Sequence, residues 1–449
     1  MIPGGRHWRP PVPPDAREMR ATMITLEALD SGLRLVIETM PSMRSVSVGV
    51  WAVTGSRHEF AEEAGVSHFV EHLLFKGTES RSAEQIAVAI DSVGGDLNAR
   101  TDRETTSFYA KVPCGHLERA VDLLSDMICR PALAKSALET ELNVIAEEIK
   151  RYEDEPDELV QDVFCESFWP GNPVGRLVTG DLECLARLSG DDIRAFMRRR
   201  YTADNLIVSV AGNVDPDDVR RLVTQKFAEV PPAPFGPSAW KSATPLGGAI
   251  RCETRDLEQV HLVMGWPGSS AADERRYAQA LVDGVFGATP SSRLFQRIRE
   301  DRGLVYSVWS EAILFCDTGA LTVCADTGPG NVAEVMRLVL QEAAALAEDS
   351  LGPAELAVAK EQFKGSTALA LESTDSRESR NARGVVVLGR PVSFEELESR
   401  IEAVSLEAAK AVAREVFSPG LVSLAAVGPI TADELGQALA GAGGPAVQA

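Results

Sequence analysis

Two periodicities alternate along this chain. Leu33-Arg34-Leu35-Val36-Ile37 follows a turn at Asp30-Ser31-Gly32, and Ser45-Val46-Ser47-Val48-Gly49-Val50-Trp51 alternates with period two, so residues 24–52 predict strand, turn and strand. Residues 65–78 then read as a helix, with Ser67 placed to cap it and Gly77 to end it. A second helix over 83–93 runs into Gly94-Gly95, paired strands follow at 96–101 and 105–112, and helices recur at 117–129 and 135–152. Beyond them come a helix over 191–200, a strand at Leu206–Gly212 and a helix at 216–227. Pro231-Pro232-Ala233-Pro234-Phe235-Gly236-Pro237 then biases the chain towards polyproline II and marks a linker.

After the linker the order restarts: strand 257–266, helix 273–286, helix 291–300, strands near 304–313 and 318–326, then helices. The halves match at one offset: Ser189 falls on Ser405, Tyr201 on Phe417, Val208 on Leu424 and Gly212 on Gly428. This predicts a diverged duplication of two α+β units, each a mostly antiparallel sheet packed with helices. The expected boundaries are a disordered leader at 1–23, a first unit at 24–230, the linker at 231–247, a second unit at 248–440 and a tail at 441–449.

Chemistry concentrates in the first unit. In Val66-Ser67-His68-Phe69-Val70-Glu71-His72-Leu73, helical spacing puts His68 and His72 one turn apart with Glu71 beside them. Two imidazoles at i and i+4 can share a zinc ion, and the carboxylate can take a proton from its water. The order His-x-x-Glu-His is the inverzincin signature. The chain has only six histidines, and His261, the one in the second unit, lies in a strand. A third ligand is sought on the helix 135–152, where Leu138, Leu142, Ile145, Ile149 and Tyr152 form one stripe at about 100° per residue. Glu141 and Glu148 flank that stripe while Glu147 points away, so Glu148 or Glu141 is preferred.

Composition changes the picture little. Of 449 residues 45% are hydrophobic and 25% charged, and no apolar run reaches the ~20 residues a membrane helix needs. A net charge of −21 argues against a nucleic-acid surface. Seven cysteines, with no Cys-x-x-Cys pair, argue against a disulfide framework. Residues 1–23 carry arginines and prolines without the apolar core of a signal peptide, so the chain reads as cytoplasmic.

On the His68–His72 motif and the Glu-bearing helix, the sequence resembles the pitrilysin and insulinase family of zinc metallopeptidases, in its mitochondrial-processing-peptidase-like branch of half-length chains. The resemblance runs over residues 24–440. It implies one Zn2+ per chain held by His68, His72 and Glu148, with Glu71 as catalytic base and Glu141 supporting the site. It also implies that Arg299 and Tyr306, seven residues apart, hold the substrate and polarise its carbonyl, and that a peptide adds as a strand beside Leu97, Asn98 and Ala99. Two such chains are expected to enclose a clamshell chamber, as a homodimer or a heterodimer with a related subunit. The implied activity is cleavage of short or unfolded peptides, or trimming of presequence-like segments. The rival expectation is a non-peptidase scaffold subunit, against which stand the intact metal residues.

Overall fold

The computed structural model describes residues 23–232, 242–418 and 420–442. The leader before Met23, the centre of the Pro-rich linker and the tail from residue 443 lie outside the described residues.

The first sheet contains β1 (Met23–Ala28), β2 (Arg34–Thr39), β3 (Ser45–Ala52), β4 (Asp96–Thr101), β5 (Thr106–Pro113) and β6 (Leu206–Gly212). Their spatial order is β1-β2-β6-β3-β5-β4, and only the β2–β6 pair is parallel. The second sheet contains β7 (Ile250–Thr254), β8 (Val260–Pro267), β9 (Val305–Leu314), β10 (Gly319–Thr327) and β11 (Ser423–Gly428). It runs β7-β11-β8-β10-β9, with only β7–β11 parallel. Omitting β1, the two orders superimpose strand for strand, as the duplicated pattern predicts. The repeat extends to detail. Ser189 and Ser405 each accept a hydrogen bond from a backbone N–H three residues on, and Gly212 and Gly428 close equivalent strands at φ +150° and +146°.

One expectation is refined here: β7, which pairs parallel with β11, precedes the strand the alternation pattern located. Its five residues are half-buried or exposed, so hydrophobic alternation does not mark it.

The helices that matter for the site are α1 (Val66–Leu74), α2 (Ala83–Asp91), α3 (Leu117–Cys129), α4 (Lys135–Asp154) and α5 (Pro156–Phe168). Val46, Val48 and Val50 of β3 share a core with Phe69 and Val70 of α1, Leu124 and Met127 of α3, and Ile145 of α4. The opposite face of β3 carries Ser47, Gly49 and Trp51, and it is covered by a helix from the other half, Thr374–Leu388. Reciprocally, α5 leaves the first unit and packs Phe164 and Val163 against Val263 and Val427 of the second sheet. The two exchanged helices meet matching notches. A Cβ on Gly49 would lie 2.2 Å from Glu378 Oε1, and one on Gly265, 216 positions later, 2.2 Å from Phe164 Cζ. Backbone without a side chain is what admits each helix so closely.

Candidate metal centre

Helix α1 begins at Gly65, whose φ of +92° belongs to the left-handed region. The cap differs from the sequence expectation. Ser67 is buried inside the first turn, and the carboxylate of Glu59 takes the orphan donors, accepting from Gly65 N and Ser67 N at 2.7 Å each. Burial pushes the Glu59 carboxyl up to about 7, against the pull of those two N–H donors. At its other end the helix stops at Leu74, before Gly77. Glu59 could not be found from the sequence, because it reaches the helix from a preceding loop.

His68 and His72 stand one turn apart on α1, ring centroids 4.6 Å apart. From α4, Glu148 Oε2 approaches His68 Nε2 at 3.8 Å and His72 Nε2 at 3.5 Å. One ligand atom from each of the three lies within 4.8 Å of the others. Ligand atoms around a tetrahedral zinc stand ~3.3 Å apart, so these residues fit the ion with little adjustment. Two imidazole nitrogens and a carboxylate oxygen also leave one position free for water or substrate, the pattern of a catalytic rather than a structural site.

The surroundings tune these donors. Glu141 is almost inaccessible, and its oxygens face His72 Nδ1 at 3.2 Å and Lys76 Nζ at 2.9 Å. That contact orients the His72 ring so that Nε2 points at Glu148. Burial, joined by the neighbouring His72, pushes the His68 pKa well below its ordinary value and keeps a lone pair on the ring. Burial also acts to lower the His72 pKa, but contacts with Glu148 and Glu141 outweigh it and the net shift is upward. Glu148 is held below the usual carboxylate range, chiefly by its hydrogen bond with His72. Glu147 is 74% exposed and pairs with Lys150 at 2.7 Å, away from the cluster.

Glu71 shares α1 with the two histidines. Burial pushes its pKa up, opposed by Thr101 and by His72, and its Oε2 is buried with no hydrogen-bond partner among the described residues. Thr101 ends β4, which among the described residues is an edge strand of its sheet and pairs only with β5. Along β4, Leu97 and Ala99 are half-buried against the core while Asn98 is exposed. Strand β4 thus meets α1 next to the cluster, through Thr101 and Glu71.

Arg299 and Tyr306 belong to the second unit. Arg299 sits in a π-helical stretch, Phe295–Glu300, with its guanidinium 4.9 Å from the Phe295 ring centre. Tyr306 is on β9 and 76% exposed. Among the described residues, no hydrogen bond, ion pair or ring contact joins either to the His68–His72–Glu148 cluster of the same chain.

Comparison with known proteins fits this geometry. Residues 34–181 match the family described as Insulinase (Peptidase family M16), and residues 187–363 match Peptidase M16 inactive domain. The uncharacterized zinc protease YmxG of Bacillus subtilis is 38% identical over 396 residues, which cover 88% of this chain and 96% of that protein. An uncharacterized zinc protease of Streptomyces coelicolor is 38% identical over 408 residues, covering 90% and 89%. A protease from Helicobacter pylori has a crystal structure that shares the fold, with a TM-score of 0.85 at 20% identity over 91% of this chain and 100% of that one. Matched by two models of one family and by relatives along nearly its whole length, the chain belongs to peptidase family M16, the insulinase family.

Proposed function

We propose that this chain is a zinc endopeptidase that cleaves short or unfolded polypeptides. The observation that carries the reading is the convergence of two imidazole Nε2 atoms and a carboxylate oxygen, beside a buried carboxylate on the same helix. His68, His72 and Glu148 would hold a zinc ion, which would supply Lewis acidity to make water nucleophilic near neutral pH.

The peptide adds as a strand along β4 at Leu97, Asn98 and Ala99, bound by main-chain hydrogen bonds that read little sequence. Glu71 Oε2 takes a proton from the attacking water and returns it to the leaving amine. A carboxyl already raised by burial is better matched to both steps than a solvated one. Glu141 keeps His72 turned towards Glu148.

Arg299 and Tyr306 donate to the oxygen on which negative charge develops. No contact joins either to the cluster within the chain among the described residues, and in this reading a second subunit presents them, so that two chains form a chamber that admits extended peptides, presequence-like segments among them. A heterodimer with a related subunit is the second reading, and the same exposure of Tyr306 allows it.

The test is Glu71→Gln. Variant and wild type should each bind about one zinc per chain by elemental analysis, and the variant should lose cleavage of a quenched fluorescent peptide by on the order of 10³-fold or more. Cleavage retained at the wild-type rate would remove Glu71 as the base.

A further inference from the structure

Alternation along β9 breaks at Tyr306. Asp326 of β10 stands opposite Ser307, and the next residue, Thr327, stands opposite Val305, so Tyr306 is the extra residue of a β-bulge. The bulge lets Val305 and Val308, three residues apart, enter the same core, which strict alternation forbids. Tyr306 is left facing solvent.

Side chains pin this bulge on both flanks. Thr327 Oγ1 donates to the Leu304 carbonyl at 2.6 Å, and that carbonyl also accepts from Asn331 Nδ2 at 3.3 Å. On the other flank Ser307 Oγ donates to Asp326 Oδ2, and Asp326 Oδ1 lies 2.7 Å from His261 Nδ1. Ser307, Asp326 and His261 occupy directly opposed positions on β9, β10 and β8, forming one cross-strand row. Asp326 and His261 are 15% and 14% exposed.

The order within the row excludes a nucleophilic serine. The carboxylate stands between hydroxyl and imidazole, whereas base-activated serine needs the imidazole in the middle. What the row can do is hold backbone in place.

We propose that Asp326, oriented by His261, is a positioning residue that acts through Ser307 to hold the bulge presenting Tyr306 to substrate. This rests on the assignment of Tyr306 as a donor to the developing oxyanion. A donor that must meet a charge at one place gains from a rigid mount, and displacement by about 1 Å can cost on the order of 10²-fold in rate.

The experiment is a double-mutant cycle on the full-length, zinc-loaded protein with a quenched fluorescent peptide. Tyr306→Phe should lower kcat on the order of 10²-fold. Asp326→Ala and the milder Ser307→Ala should each lower kcat by on the order of tenfold with KM within about twofold and zinc content unchanged. In the Tyr306→Phe background the Asp326→Ala loss should vanish, because both act on one contact. Deuterium exchange at the amides of residues 304–308 should rise in Asp326→Ala whether or not the preparation cleaves peptide. Losses that multiply in the double variant, or unchanged exchange and kcat in Asp326→Ala, overturn the positioning role while leaving Tyr306 its own. A Tyr306→Phe variant as active as wild type, beside an inactive Glu71→Gln, removes the Tyr306 assignment and the positioning role with it.

Discussion

Glu141 is enclosed between an imidazole and an ammonium, one at each of its oxygens. In the proposed zinc site its effect would therefore be indirect, through the ring orientation and basicity of His72, and groups of this kind are worth about 10–100-fold in metal affinity. Glu141→Ala should weaken zinc binding by that factor in a chelator competition, whereas Glu147→Ala, on the exposed side of α4, should leave it unchanged. Equal effects of the two substitutions would contradict the geometry. This division of three glutamates was readable beforehand, because a regular helix converts sequence spacing into angle and the apolar stripe says which angle is inside. Helical angle alone does not separate Glu148 from Glu141 as the proposed ligand. Both flank the stripe, and what separates them is that Glu148 faces both Nε2 atoms while Glu141 faces only His72 Nδ1.

At the scale of elements, α1 owes its start to a residue outside it. Nine residues make a marginal helix in isolation, so its first turn depends on the Glu59 carboxylate and on the core beneath Phe69 and Val70. Glu59→Ala removes the acceptor of two buried N–H groups and should cost about 2 kcal/mol, read as a lower midpoint in chemical denaturation. A loss below about 0.5 kcal/mol would mean that the turn finds other acceptors. The sequence rule that nominated Ser67 is local, and a cap delivered by a loop escapes any local rule. The same limit applies to residues 295–300, where helical periodicity was evident but its widening to a π-helical stretch was not. Likewise the bulge at Tyr306 is invisible in a run of strand-forming residues, since its signature is the register against β10.

For the whole molecule, duplication was legible because paired Ser caps and Gly strand ends recur at one offset, but the exchange of helices between halves was not. An amphipathic helix declares that it will be covered without saying by which sheet. The two exchanged contacts differ in kind. At α5 the contact is apolar, with Phe164 set into the Gly265 notch. The helix Thr374–Leu388 instead brings polar groups: Glu378 accepts from Trp51 Nε1 at 2.8 Å, Asn381 Nδ2 donates to Glu38 at 2.6 Å, Arg377 also pairs with Glu38, and Thr374 bonds Ser47 at 2.8 Å. Beyond these lies the exposed Asp375–Lys111 pair. Burial pushes the Glu378 carboxyl up from 4.5 to about 8, with the Trp51 hydrogen bond opposing. Its folded-state pKa is thus above the unfolded one, so the folded chain binds the proton more tightly. The stability that follows is fully present below pH 4.5 and is lost as pH rises through about 8. Glu378→Gln keeps an acceptor for Trp51 and removes the titration. Between pH 6 and 9 the wild-type unfolding free energy should fall relative to the variant's by on the order of a few kcal/mol, taking the difference so that Glu59 and Asp283, also raised to about 7, cancel. Parallel pH profiles would show that Glu378 titrates normally and that the halves are joined through the ionised form.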